Sequence, residues 1–102
     1  MDNKRAPEIV IKYVDFIRKE KPQIKKVYLF GSYVKNQHHP DSDVDLAVVF
    51  ENITDSFETQ VELMKMRRNF DTKIEPHVFL ESDFNPSNPL ANEVLKHGIR
   101  LN

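Results

Sequence analysis

The sequence contains no cysteine, no large excess of either charge and no long apolar stretch. Without cysteine, the chain has neither a disulfide scaffold nor a thiolate metal or redox site. Its 15 lysines and arginines nearly balance 16 aspartates and glutamates, which argues against the basic face that non-specific duplex binding usually needs. The longest apolar run, Leu46 to Phe50, is far too short to cross a membrane. We therefore expect neither a membrane nor duplex nucleic acid as a partner.

The size and the N-terminal segment bound the organisation of the chain. With 102 residues, it has room for one hydrophobic core, so we predict a single domain over residues 1–102. The first ten residues lack the apolar core of a secretory signal. This absence predicts a cytoplasmic location.

Helical and strand patterns alternate along the chain and predict an α/β (α+β) fold. The ranges with helical spacing or helix-boundary residues are 7–20, 55–69 and 88–98. The β-rich runs predict strands at 27–30, 43–50 and 73–80, with a short last strand at 99–101. Pro76 cannot donate a backbone hydrogen bond, so its strand is expected at a sheet edge or unpaired there. We predict a small mixed β-sheet, and because two strands carry acids on one side, we expect its helices to pack mainly on one face.

The second helix has an apolar repeat and a basic end. Phe57, Val61 and Met64 recur at helical spacing, and we expect Phe57 to be part of the core. Arg67 and Arg68 are expected on the solvated side of this helix.

A Gly31-Ser32 turn follows the first predicted strand directly. Glycine lets the backbone approach a ligand closely, and the start of a helix offers unpaired N–H groups to phosphate oxygens. The Ser32 hydroxyl would add one more donor. The same dipeptide is common in ordinary turns, so taken alone it leaves both interpretations open.

Asp43 and Asp45 stand two residues apart in the second predicted strand. Side chains at this spacing point to the same side of a strand, close enough to share a hard cation. Without a cation the two carboxylates repel each other, so the pair predicts a divalent metal site. Glu75, on the polar side of the next long strand, is the candidate third ligand, with Asp71 as its competitor. Three acids from two strands can hold the two ions of two-metal phosphoryl chemistry.

Taken together, these residues resemble a known family. Gly31-Ser32, ten intervening residues and then Ser42-Asp43-Val44-Asp45-Leu46 resemble the signature of the DNA-polymerase-β-like nucleotidyltransferases. The size and the form of the motif are most similar to the minimal nucleotidyltransferases, the MntA-type antitoxins. The resemblance covers residues 24–80 and implies the polymerase-β-like nucleotidyltransferase fold.

The resemblance implies a role for each motif residue. Gly31 and Ser32 would bind the triphosphate of the nucleotide, which we expect to be ATP. Asp43 and Asp45 would bind two Mg²⁺ ions and, through them, the nucleotide. Glu75 would complete the metal site and help to activate the acceptor hydroxyl.

The sequence departs from the family pattern in two places. Lys35-Asn36 replaces the Arg-Gly pair of many relatives, and Lys35 would bring one positive charge to the phosphates without a bidentate fork. Glu75 stands where the third acid is often aspartate. Further candidates for contacts with the nucleotide or the acceptor are Lys73, His77, His38 and His39. For the two loop histidines, simple solvation is the alternative.

The family also implies a reaction and a partner. The expected activity is Mg²⁺-dependent transfer of AMP from ATP to a hydroxyl. Minimal nucleotidyltransferases are usually paired with a HEPN-domain ribonuclease toxin, so we expect the acceptor to be a tyrosine of such a toxin and the chain to be a type VII antitoxin. Two alternatives stay open. In the first, the chain is an inactive module that neutralises a toxin by occlusion. In the second, it is a transferase that acts on RNA or a small molecule.

Overall fold

The computed structural model describes residues 6–34 and 43–102. The elements in chain order are α1 (Glu8–Glu20), β1 (Ile24–Phe30), β2 (Val44–Phe50), α2 (Ser56–Met66), β3 (Ile74–Leu80), α3 (Pro89–His97) and β4 (Ile99–Arg100). Single turns of 3-10 helix follow β1, α2 and β3. Within the described ranges, no helix has the length and apolar character needed to cross a membrane.

The strands form one mixed sheet in the order β3-β2-β1-β4. β1 is antiparallel to β2 and β4, whereas β2 and β3 are parallel, because α2 carries the chain back to the starting end of β2. The parallel register pairs Asp45 with Glu75 and Ala47 with His77, so these side chains stand on one side of the sheet. β3 lies at the sheet edge, where Pro76 predicts it.

The alternation of β2 divides the core between the two faces of the sheet. Leu46 and Val48 belong to the cluster formed with α1 and Leu63 of α2, and Ala47 and Val49 belong to the cluster formed with α3. Two helices thus cover one face, and the shorter α3 covers part of the other. The predicted fold class, with helices mainly on one face, is confirmed. α3 can pack on this second face because β2 is acidic there only at its beginning, and its later residues on that face, Ala47 and Val49, are apolar.

Local sequence accounts for the helix boundaries. The Asp55 side chain caps α2 by accepting from the Glu58 N–H at 3.0 Å. Asn88 caps α3 in the same way, with Pro89 at the first helical position and Gly98 after the last. These are the positions at which short polar residues, proline and glycine favour helix ends.

The buried side of α2 differs from the predicted one. Leu63 is fully buried, and its carbonyl accepts a hydrogen bond from the Tyr13 hydroxyl at 2.8 Å. Phe57, predicted in the core, is 78% exposed, so that prediction is wrong. Val61 and Met64 join neither core cluster of the described residues. Apolar residues lie on two sides of α2, so periodicity alone cannot identify the side that packs.

Candidate active site

The end of the sheet where β1 finishes and β2 and β3 begin brings several of the predicted residues together. Phe30, the last residue of β1, pairs with Asp45 of β2, and Asp45 pairs with Glu75 of β3. Gly31 follows Phe30 at the head of a 3-10 turn. The glycine turn and the two acids therefore lie at one end of three adjacent strands.

Gly31 is packed against the carboxylate of Asp45. Its φ is +82°, in the left-handed region that favours glycine. A Cβ atom at this position would overlap Asp45 Oδ2 and stand 3.2 Å from Asp45 Cγ. The backbone conformation therefore favours glycine here, and a side chain at this position would require the Asp45 carboxylate to move.

His77 contacts the other oxygen of Asp45. The distance from His77 Nε2 to Asp45 Oδ1 is 3.1 Å, and a protonated Nε2 donates a hydrogen bond to the carboxylate. The imidazole packs edge-on against the Phe30 ring, with centroids 5.3 Å apart. The sequence predicts His77 as a contact for the nucleotide or acceptor, and the structure shows Asp45 as its neighbour. The sequence signal that places His77 at this site is its position two residues after Glu75, on the same side of the strand.

Glu75 is hydrogen-bonded by a residue that the sequence predicts to be solvated. Arg67, in the 3-10 turn after α2, donates from Nη1 to Glu75 Oε1 at 3.0 Å and to the carbonyl oxygen of Ile74 at 2.7 Å. The Arg67 side chain is only 19% exposed, so the solvated assignment is wrong for this residue. It is correct for its neighbour Arg68, which is exposed. The short connection from α2 to an acidic strand was the sequence signal for this contact.

The remaining predicted site residues divide into two groups. Asp43 immediately precedes β2 and is exposed, as is Lys73 immediately before β3. The Ser32 side chain, together with Lys35, His38 and His39, lies outside the described residues. The expected contacts of this second group stay predictions.

The acidic residues supply hard oxygen donors, which Mg²⁺ prefers. Asp43 immediately precedes β2, Asp45 is its second residue, and Glu75 is in register with Asp45 on the next strand. Over residues 6–34 and 43–102, however, no three acidic, histidine or cysteine side chains are grouped closely enough to hold a metal ion. The pair of aspartates fits a divalent cation by its chemistry, and the part of Glu75 as third ligand stays a prediction.

Comparison with known proteins identifies the class to which this fold and site belong. The family described as polymerase beta, nucleotidyltransferase matches residues 12–102. The chain belongs to this nucleotidyltransferase family. The resemblance inferred from the Gly31-Ser32 turn and the Asp43-Val44-Asp45 motif is therefore confirmed.

Two curated relatives are named for transfer of an adenylyl group to protein. The chain is 28% identical over 64 residues to protein adenylyltransferase MntA of Shewanella oneidensis, a match that covers 63% of this chain and 46% of the relative. It is 40% identical over 50 residues to MJ1379 of Methanocaldococcus jannaschii, named as a candidate protein adenylyltransferase, with 48% of this chain and 50% of the relative covered. The chain spans about half the length of these curated relatives.

Solved structures share the fold. The chain matches a toxin-antitoxin structure with AMP-PNP at a TM-score of 0.65 and 22% identity, covering 89% of this chain and 71% of that one. It matches a structure of tri-AMPylated Shewanella oneidensis HEPN toxin in complex with MNT antitoxin at a TM-score of 0.57 and 22% identity, covering 91% and 71%. These likenesses establish the nucleotidyltransferase fold.

Proposed function

We propose that this chain is a Mg²⁺-dependent adenylyltransferase that moves AMP from ATP to a hydroxyl of a partner protein. The observation that carries the proposal is the position of Asp45, which is packed against Gly31 and in register with Glu75. In a chain of the nucleotidyltransferase family, this is where a phosphate-binding turn and metal-binding acids are expected to meet. The relatives named as protein adenylyltransferases support AMP as the transferred group.

The nucleotide would bind at the turn after β1. Backbone N–H groups at a glycine turn can hydrogen-bond to phosphate oxygens, and Ser32 would add its hydroxyl. Lys35 would add a positive charge to the same phosphates.

Asp43, Asp45 and Glu75 would hold two Mg²⁺ ions. When bound, these ions neutralise phosphate charge and lower the pKa of the acceptor hydroxyl. The chain itself holds Asp45 in place from two sides, with Gly31 against one oxygen and His77 at 3.1 Å from the other. A carboxylate that is already oriented needs little reorganisation when charge develops beside it.

The proposed acceptor is a tyrosine of a HEPN-domain toxin, which makes the chain a type VII antitoxin that acts in the cytoplasm. The likeness to a structure of a tri-AMPylated HEPN toxin bound to MNT antitoxin supports this choice. A surface tyrosine offers a hydroxyl that general-base or metal assistance can deprotonate near neutral pH.

The direct test is incubation of the purified protein with α-labelled ATP, Mg²⁺ and the protein encoded by the neighbouring gene, which the proposal expects to be a HEPN-domain toxin. We expect the label on a toxin tyrosine, and its loss on addition of EDTA. Asp43→Asn and Asp45→Asn should each abolish transfer, because they remove a negative ligand at nearly constant shape. Asp71→Asn is the matched control: it changes the competing acid before β3 and should leave transfer intact.

Other outcomes would select the alternatives. If the chain neutralises the toxin without labelling it, and the Asp45→Asn variant neutralises it equally well, the occlusion alternative would be favoured. Label on RNA or on a small molecule, with none on the toxin, would favour a different acceptor. Transfer to the toxin that survives both aspartate substitutions would contradict the assigned site.

A further inference from the structure

Arg67 connects the end of α2 to the outer edge of β3. Its Nη1 donates both to the carbonyl oxygen of Ile74, at 2.7 Å, and to Glu75 Oε1, at 3.0 Å. The side chains of Arg67 and Glu75 are 19% and 33% exposed. Because much of both side chains is shielded from water, this contact is better ordered than an ion pair between two freely moving surface side chains.

The Arg67 side chain extends to β3 from the C-terminal end of α2. Arg67 directly follows α2, and its backbone N–H still donates to the Leu63 carbonyl of that helix. Earlier on α2, Gln60 bonds to the same edge of β3 through the Pro76 carbonyl at 2.6 Å and the Val78 N–H at 3.1 Å. Gln60 of α2 and Arg67 directly after it therefore both bond to the strand edge, and Arg67 is the one that also contacts an acid.

Within the described residues, this contact engages only one of the two oxygens of the Glu75 carboxylate. Oε1 accepts from Arg67, whereas among residues 6–34 and 43–102 no hydrogen bond to Oε2 is found. A carboxylate that is anchored through one oxygen keeps the other oxygen as a ligand. Partners of this kind orient metal-binding carboxylates, and their loss weakens metal binding.

We propose that Arg67 is the positioning residue for Glu75. It anchors Oε1 of Glu75, on the strand whose residue 75 is in register with Asp45, and it leaves Oε2 available for a divalent cation. This inference rests on the proposed function, because it takes Glu75 to be a metal ligand. The two possible roles of Arg67 predict opposite effects of its removal. If its positive charge only repelled the cation, removal would tighten cation binding. If Arg67 positions Glu75, removal would weaken cation binding.

The test is the affinity for Mn²⁺ alone, measured on the full chain without nucleotide by the EPR signal of free Mn²⁺. We expect Arg67→Gln to weaken Mn²⁺ binding about tenfold. Arg67→Lys should retain part of the affinity, since it keeps the charge without the planar fork. Arg68→Gln removes the adjacent exposed arginine and should bind Mn²⁺ as the unmodified chain does.

A second pair of variants separates positioning from loss of fold. In a chain that already carries Glu75→Gln, adding Arg67→Gln should cause no further loss of Mn²⁺ affinity, because the residue that Arg67 positions is gone. Circular dichroism of each variant checks that it is folded. A further loss in the double variant, or unchanged or tighter binding in Arg67→Gln alone, would overturn the inference, as would absence of Mn²⁺ binding by the unmodified chain. Arg67-dependent Mn²⁺ binding without AMP transfer would instead reject the proposed function.

Discussion

His77 Nε2 lies 3.1 Å from Asp45 Oδ1, so a side chain of β3 holds a carboxylate of β2 in place. The two residues are diagonal neighbours, because the register pairs His77 with Ala47 and Asp45 with Glu75. The candidate catalytic acid is therefore oriented by a residue from the next strand.

Replacing His77 should impair transfer more than stability. We expect His77→Leu to lower AMP transfer about tenfold, because the carboxylate of Asp45 loses the partner that orients it. His77→Gln, whose amide nitrogen can occupy the place of Nε2, should retain most of the rate. Initial rates of label transfer measure the effect, with urea unfolding as the check on stability. Equal rates for the leucine variant and the unmodified chain would refute the positioning role.

Gly31→Ala should be costly for two reasons. Alanine at φ +82° costs about 1–2 kcal/mol in the left-handed region, and its Cβ would overlap the Asp45 carboxylate. We expect a loss of at least about 1 kcal/mol in the free energy of unfolding, together with loss of AMP transfer. Urea unfolding and the transfer assay test the two effects separately. A stable variant with full activity would show that the turn tolerates a side chain.

The side chain of Gln60 makes hydrogen bonds to the backbone of β3 of the kind that a neighbouring strand would make. Its amide donates to the Pro76 carbonyl at 2.6 Å and accepts from the Val78 N–H at 3.1 Å. Gln60→Leu should lower the free energy of unfolding by about 1–3 kcal/mol, because both backbone groups lose a partner. Gln60→Glu keeps the acceptor for Val78 and loses the donor for Pro76, so an intermediate or equal loss is expected. Urea unfolding of the three chains checks this, and no loss in the leucine variant would contradict it.

Tyr13 predicts a specific dependence of stability on pH. Burial raises the pKa of its hydroxyl above the ordinary value of 10.0, and the nearby charge of Arg67 partly opposes the rise. The folded state therefore retains this proton more tightly than the unfolded chain does, so its contribution to stability is complete below pH 10 and is lost as the pH rises above it. Tyr13→Phe removes the hydrogen bond to the Leu63 carbonyl and should cost about 1 kcal/mol near pH 7.

The pH comparison needs both chains. The difference in unfolding free energy between the unmodified chain and Tyr13→Phe should shrink as the pH is raised above 10, because only the unmodified chain has this hydroxyl to ionise. Chemical unfolding at pH 7, 9, 10 and 11 would measure it. A difference that stays constant across this range would contradict the buried, proton-retaining hydroxyl.

Phe57 should be dispensable for folding although it is a large aromatic residue. It is 78% exposed, so Phe57→Ser is expected to change the free energy of unfolding by no more than about 0.5 kcal/mol. Leu63→Ala on the same helix removes a fully buried side chain and should cost about 2–5 kcal/mol. Thermal or urea unfolding distinguishes them. Comparable losses would show that Phe57 is packed in solution.

The parts of the structure that could be predicted are those that short stretches of chain define. Asn88, Pro89 and Gly98 bound α3 because capping and helix termination depend on the local backbone. Pro76 indicated an edge strand because a missing N–H is a property of one residue. The side of α2 that packs on the sheet could not be predicted in the same way, since Phe57 and Leu63 are both apolar and the choice between them depends on packing with α1 and the strands.

The amino-acid sequence by itself determined the order of helices and strands, the glycine turn after β1, and the two aspartates at the start of β2, because each follows from a short periodicity or a motif. Only the tertiary structure decided that His77 contacts Asp45 and that Arg67 contacts Glu75. Those contacts depend on strand register and on where α2 ends in space, which are set by packing between residues far apart in the chain.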